Sequence, residues 1–196
     1  MQYPLKLSFK ILALAPQIFV EDAGGGPLFF VHQKLFKLKE QIHVYRDSTK
    51  QTELFQINAD RVIDFSARYS FTGPDGQPLG SIKRQGARSL WKATYSIESQ
   101  DGRPLFIIEE ESAWVKFLDG LLGEIPILGA FTGYFLNPTY LLTSAAGGTV
   151  FRVVKHRSFL ESTFEIQAAG KTPAGVEEAV AVLGILMMVL LERSRG

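Results

Sequence analysis

The residues best suited to chemistry are four basic side chains that lie close together in the sequence. Every charged residue between positions 76 and 97 is basic: Lys83, Arg84, Arg88 and Lys92. Trp91 lies among them. Ammonium and guanidinium groups make charge-assisted hydrogen bonds to phosphate oxygens, so this pattern predicts a site for an anionic ligand such as a phospholipid headgroup. The alternative is that these side chains are simply solvated, which is the usual state of exposed charges.

A second basic cluster comes late in the chain, at a predicted hairpin between two strands. It consists of Arg152, Lys155, His156 and Arg157. Surface turns commonly carry charged side chains, so this cluster is the weaker candidate.

Groups that serve catalysis or metal binding are sparse. The three histidines, His32, His43 and His156, are each isolated, and none has a second histidine at metal-ligand spacing. The acidic run at 109–111 predicts a solvated rim rather than an acid–base pair, because neighbours in a strand point to opposite faces. The motifs of serine hydrolases, phosphate-binding loops and dinucleotide-binding folds do not occur in the sequence. We therefore predict no enzyme activity, no metal and no cofactor.

Charge and cysteine content exclude several classes of protein. The formal net charge is +1, from 21 Lys and Arg against 20 Asp and Glu. Nucleic-acid-binding domains are usually strongly basic, because phosphate contacts supply most of their affinity, so this balance argues against a nucleic-acid partner. The chain has no cysteine, which excludes a disulfide scaffold and a thiolate metal site.

Neither end of the sequence predicts a membrane segment. Lys6 and Lys10 interrupt the apolar residues of the N-terminal segment, which alternate with polar ones as in a half-buried strand rather than a signal peptide. At the other end, residues 179–191 are all apolar or glycine. A bilayer span takes about 20 such residues, so we predict a helix buried within the protein and no transmembrane span.

The elements that must position these residues are mostly strands. Between Leu5 and Ile166, short apolar segments alternate with turn clusters, several of which contain Asp-Gly, a pair that favours tight hairpins. This pattern predicts a meander of about ten to twelve strands. A sheet of that size tends to close into a barrel. The interior of such a barrel needs a filler, which we predict to be the apolar C-terminal helix. This helix is predicted over about 173–193, with Thr172 as N-cap and Pro173 in its first position.

A shorter amphipathic helix is predicted around residues 114–122. Its apolar residues recur at helical spacing: Trp114, Phe117, Leu118, Leu121 and Leu122. We expect it to cap one end of the barrel. The alternative, a helix on a membrane surface, calls for a more basic polar face.

Several short motifs resemble those of the LURP-one-related family. They are Gly80-Ser81-Ile82-Lys83-Arg84, Ser89-Leu90-Trp91-Lys92-Ala93, the Asp-Gly strand repeats and the apolar C-terminal helix, and the likeness extends from about Leu5 to Glu192. The family is grouped with the phospholipid scramblases and the Tubby C-terminal domains. The resemblance implies a barrel of about twelve strands around a central hydrophobic helix.

The function that this resemblance implies is broad. Tubby domains bind phosphoinositide headgroups and scramblases are membrane-associated, whereas most LURP-one-like members have no assigned activity. The chain has no cysteine to palmitoylate, and no acidic stretch matches a calcium site, so the resemblance does not extend to lipid scrambling.

These patterns together predict one mainly β domain over residues 1–196, a tubby-like closed antiparallel barrel around a buried C-terminal helix. We expect a non-enzymatic, cytoplasmic protein that binds an anionic ligand at the membrane surface through Lys83, Arg84, Arg88 and Lys92. The alternative is a soluble structural or protein-interaction module whose partner is another protein and which has no lipid or small-molecule ligand.

Overall fold

The computed structural model describes seven segments of the chain. They are residues 1–10, 17–33, 41–61, 67–85, 94–111, 138–156 and 161–193. Arg88, Lys92, Arg157 and the predicted helix around 114–122 lie outside the described residues.

The described residues form twelve β-strands followed by an α-helix. These elements are β1 (Leu5–Lys10), β2 (Gln17–Glu21), β3 (Pro27–Gln33), β4 (Gln41–Tyr45), β5 (Glu53–Ala59), β6 (Arg68–Thr72), β7 (Pro78–Arg84), β8 (Thr94–Ser99), β9 (Pro104–Glu110), β10 (Thr139–Ser144), β11 (Thr149–His156), β12 (Glu161–Ala168) and α1 (Val176–Arg193).

The strands form one closed antiparallel barrel. Each strand pairs with the next in sequence, and β12 pairs with β1 in a register from Leu5 opposite Ile166 to Lys10 opposite Glu161. Closure leaves no sheet edge with unpaired backbone groups. The predicted meander and the predicted barrel are confirmed.

Alternation along each strand separates the core from the surface. In β1, Leu5, Leu7 and Phe9 are buried, while the residues between them are exposed or half-buried. The same pattern recurs in β8, where Tyr95 and Ile97 are fully buried. Successive strand residues point to opposite faces, so one face of each strand fills the barrel and the other faces outward.

Four hairpin turns share one geometry, in the segments 22–26, 73–77, 99–103 and 144–148. In each turn the first N–H donates to the fifth carbonyl and the fourth N–H donates to the first carbonyl. The fourth residue is a glycine with φ between 74° and 97°, and a register shift lies beside it. This is a type I turn followed by a glycine bulge, which explains the repeated Asp-Gly pairs. Because the strands alternate in direction, these four turns lie at one end of the barrel, which we call the turn end.

The helix α1 fills the barrel. Its residues Val180–Leu191 are all buried, and it contacts β6, β7, β8 and β9. A helix that is buried on every face must be enclosed by protein, so the predicted central helix is confirmed. It begins at the turn end, where a side chain at Gly80 would meet Val180, and its C-terminus lies at the opposite end.

The predicted start of this helix is wrong. The helix begins at Val176 rather than at Pro173. Gly175 has a φ of 60°, which ends any helical path from Thr172, and its carbonyl accepts the hydrogen bond of the Ala179 N–H at 3.2 Å. The preference of proline for the first turn of a helix is overridden here by the left-handed conformation of Gly175, two residues later.

Candidate anion-binding site

Lys83 lies on the outer surface of the barrel, near the end of β7. Ile82 before it is fully buried, whereas Lys83 is exposed, as alternation along the strand requires. Within the described part of the chain, the Lys83 side chain makes no hydrogen bond or ion pair.

Arg84 points the other way, toward the inside of the barrel. It is half-buried, shares the inward face of β7 with Ile82, and stands opposite Tyr95 in the register with β8. The structure therefore does not bring Lys83 and Arg84 together on one face. Arg84 lies at the end of the barrel opposite the turns, beside the C-terminus of α1.

Tyr95 ties the barrel wall to the end of the helix. Its hydroxyl donates a short hydrogen bond to Oε1 of Glu192, in the last turn of α1. Burial, followed by this bond and the charge of Glu192, holds the pKa of Tyr95 well above its ordinary value, while the charge of Arg84 acts in the opposite direction. The inner face at this end therefore has a structural function, which is to hold the helix in place.

Arg88 and Lys92 belong to the connection between β7 and β8. That connection leaves the barrel at the end where Lys83 lies, and residues 86–93 are outside the described structure. Their part in the predicted site therefore stays a prediction.

Arg68 is a cation that charge counting along the sequence did not find. It is the first residue of β6, and the register places it directly opposite Lys83 on the outward face. Side chains directly opposite each other in an antiparallel pair have Cβ atoms about 5 Å apart, and two like charges in that position repel each other. Sequence position gives no sign of this pair, because the two residues lie on different strands; strand register is the signal that reveals it.

The surroundings of Arg68 and Lys83 are polar. We call six residues on the outward face of these three strands the β6–β8 wall; they are Arg68, Ser70, Ser81, Lys83, Ser96 and Glu98. They form two rows across the strands, one from Arg68 through Lys83 to Ser96 and one from Ser70 through Ser81 to Glu98. Two cations face one carboxylate, so the wall has a net positive charge with hydroxyl groups between the charges.

Arg68 has one acidic partner on this wall. Its Nη1 donates to Oε2 of Glu98 and, at 2.9 Å, to Oγ of Ser81. The Arg68 side chain is 38% exposed and that of Glu98 is 24% exposed, so solvent still reaches the pair.

Asp60 is a second carboxylate near Arg68. It accepts a hydrogen bond from the backbone N–H of Arg68 at 3.0 Å and pairs with Arg61 at 3.2 Å. The bond from Arg61 is the main cause that lowers the pKa of Asp60, and the charge of Arg68 also contributes to lowering it. Asp60 is thus held by Arg61 and by backbone, and the Arg68 side chain bonds to Glu98.

Two members of the second basic cluster lie beside acids, whereas Lys155 has no side-chain partner among the described residues. Arg152 Nη2 donates to Glu111 at 3.0 Å, and His156 lies 3.4 Å from Glu165. Paired charges offer less to a ligand than the exposed ammonium of Lys83. The lower rank that the sequence assigns to this cluster stays a prediction.

The three histidines lie on strands, and two of them, which the sequence spacing suggests are isolated, are neighbours across the sheet. His32 and His43 stand opposite each other on β3 and β4, and His43 Nδ1 lies 3.1 Å from Glu53. His156 is on β11, far along the sheet. Among the described residues, no group of three or more His, Cys, Asp or Glu side chains is arranged to hold a metal ion.

A groove of about 450 Å³ lies at the turn end, beside the start of α1. It is lined partly by apolar residues such as Leu79, Leu105 and Val176. Two of its polar groups bond to each other, since Ser99 donates to Asp101, and its charged lining residues include Glu177 as well as Arg103. The groove is therefore a weaker candidate for anion recognition than the β6–β8 wall.

The helix α1 is the longest apolar element of the structure, and it does not meet the requirements of a bilayer span. No helix in the described segments combines the length and the hydropathy that crossing a membrane requires.

A closed meander barrel around a hydrophobic C-terminal helix defines a tubby-like architecture. The model of the LURP-one-related family matches residues 28–181, which is most of the chain. The protein belongs to the LURP-one-related family. No curated protein matches the chain.

Proposed function

We propose that this protein is a non-enzymatic, tubby-like domain that binds an anionic ligand, a phospholipid headgroup, at the cytoplasmic surface of a membrane. The observation that carries the proposal is the pair Lys83 and Arg68 on the β6–β8 wall. Two opposed cations raise the local potential, and a bridging phosphate would relieve their mutual repulsion.

The shape of the wall favours a ligand presented on a surface. Lys83 projects from the outer side of a strand, and its neighbours in the register, Arg68 and Ser96, lie on the same face. A membrane leaflet presents many phosphates at once, and each basic residue near such a surface adds about 1 kcal/mol of attraction. Arg88 and Lys92 follow Lys83 in the chain and would extend the basic surface from the wall.

Arg84 has a separate part in this proposal. It faces inward beside Tyr95 and the end of α1, so its replacement would disturb the fold as well as any ligand. We therefore assign lipid contact to Lys83, Arg88 and Lys92, together with Arg68, and we assign to Arg84 the support of the barrel end.

Liposome flotation tests the proposal. The wild-type protein is mixed with vesicles of phosphatidylcholine, with and without phosphatidylserine. We expect binding to the anionic vesicles that weakens as salt is added, because salt screens exposed charges. The triple variant Lys83→Glu, Arg88→Glu, Lys92→Glu should lose that binding.

A matched variant controls for total charge. Lys6→Glu, Arg103→Glu, Lys171→Glu changes the same number of lysines and arginines at exposed positions away from the wall. It should retain most of the binding. Equal loss in both variants, or equal binding of the wild type to neutral and anionic vesicles, would contradict the proposal and would favour a module that recognises another protein.

A further inference from the structure

The guanidinium of Arg68 is only partly used by the protein. Nη1 donates to Glu98 and Ser81, whereas Nε and Nη2 make no hydrogen bond to any described residue. Nε and Nη2 form one edge of the planar group, the edge that binds carboxylates and phosphates through two parallel hydrogen bonds. Arg68 therefore offers an open binding edge while Glu98 holds the other side of the group.

Glu98 competes with a ligand for the charge and the donors of Arg68: its carboxylate takes Nη1, and only the Nε–Nη2 edge is left to a phosphate. Glu98 stands on β8, one row away from the Arg68–Lys83 row, and it is the wall's only carboxylate among the described residues. It compensates one of two opposed positive charges, which stabilises the wall when no ligand is bound. A carboxylate and a phosphate compete for the same guanidinium donors.

We propose that Glu98 is an intramolecular competitor, which holds Arg68 until a phosphate group replaces its carboxylate. The inference rests on the proposed function, because it concerns the same wall and the same ligand class. It adds Arg68 as a binding residue and Glu98 as the residue that limits affinity. The phosphate can come from a lipid headgroup or from solution, and the experiment separates these sources.

The test is a double-mutant cycle with Glu98→Gln, Arg68→Gln and the double variant, each titrated with vesicles of phosphatidylcholine and phosphatidylserine. Gln keeps the size of each side chain and removes its charge. We expect Glu98→Gln to bind about fivefold more tightly, the increment of one additional basic residue at an anionic surface. Arg68→Gln should lose more affinity in the Glu98→Gln background than in the wild-type background.

The loss caused by Arg68→Gln in the two backgrounds distinguishes competition from the independent effects of the two charges. Independent charges would make the Arg68→Gln loss equal in both backgrounds, which would overturn the inference. Glu21→Gln, on the outward face of β2, removes one negative charge away from the wall, and its affinity should stay near that of the wild type. A gain equal to that of Glu98→Gln would also overturn the inference.

One further measurement identifies the source of the phosphate. In it, inorganic phosphate is added to the vesicle titrations. If low phosphate concentrations release the Glu98→Gln variant from the vesicles, the ligand is free phosphate; if the variant stays bound, the ligand is a lipid. The affinity should depend on Arg68 in either case. If the proposed function itself is wrong, the result differs from a failure of this inference: neither the wild type nor Glu98→Gln then binds anionic vesicles more tightly than neutral ones.

Discussion

The inner and outer faces of strands β6–β8 have different tasks although their residues alternate along the same chain. The inner face carries Tyr69, Ile82 and Tyr95, which are all buried in the core that surrounds α1. The outer face carries Arg68, Lys83 and their polar neighbours. Burial of apolar area stabilises the fold, while the exposed charges contribute little to stability.

The contrast is sharpest at Lys83 and Arg84. These two basic residues are adjacent in sequence, yet one is exposed on the wall and the other stands opposite Tyr95 near the helix end. A run of like charges in a strand therefore divides between two environments. It follows that changes on the inner face should alter stability, and changes on the outer face should alter binding.

The largest expected effect comes from a charge placed in the centre of the barrel. Leu186 is 2% exposed on α1, and Leu186→Asp would bury an unpaired carboxylate. We expect a loss of about 4 kcal/mol or more in the free energy of unfolding, measured by chemical denaturation.

The same helix provides the control for this change. Val176 is 58% exposed in the first turn, where an acidic residue suits the helix dipole. Val176→Asp should change stability by less than about 0.5 kcal/mol. If Leu186→Asp proved as stable as Val176→Asp, the helix would not lie inside the barrel.

A smaller effect is expected at the end of the barrel. Tyr95→Phe removes the hydroxyl that donates to Glu192 and should cost about 2 kcal/mol, as for other hydrogen bonds to a charged group. The pKa of Tyr95 is raised in the folded protein, so the neutral phenol stabilises the fold below its ordinary pKa of about 10, and this stability is lost as the pH rises above that value.

Unfolding free energies measured from about pH 8 to pH 11 check this sign. The wild type should lose stability over the upper part of this range more steeply than Tyr95→Phe. Parallel curves would show that Tyr95 does not couple the wall to the helix. Vesicle binding below pH 9 should be the same for both proteins, because Tyr95 is on the inner face.

The fold could be predicted from the sequence because its determinants are local. Alternation in β1, the Asp-Gly turns and the apolar run of α1 each lie within a short stretch of chain. The inward direction of Arg84 was also accessible, since Ile82 lies two residues before it on the same face of β7. The helix start was missed because Gly175 acts through its backbone conformation, against a favourable Thr-Pro pair.

The site could be predicted only in part. Lys83 was found by counting charges along the chain. Arg68 and Glu98 were not, because their proximity depends on the register between strands that are separate in sequence. Pairings of this kind are set by closure of the whole barrel, which a single sequence does not reveal.

A substitution on the outer face should cause the smallest change in stability and a clear change in vesicle binding. Lys83→Glu should leave the free energy of unfolding within about 0.5 kcal/mol of the wild type, because Lys83 has no partner among the described residues. Lys6→Glu, at an exposed position on β1, carries the same charge change away from the wall.

The most direct test of this account is the affinity of these two single variants for vesicles of phosphatidylcholine and phosphatidylserine. We expect Lys83→Glu to bind at least about fivefold more weakly than Lys6→Glu, the contribution of one basic residue at an anionic surface. Equal affinities for Lys83→Glu, Lys6→Glu and the wild type would contradict the claim that the β6–β8 wall binds an anionic ligand.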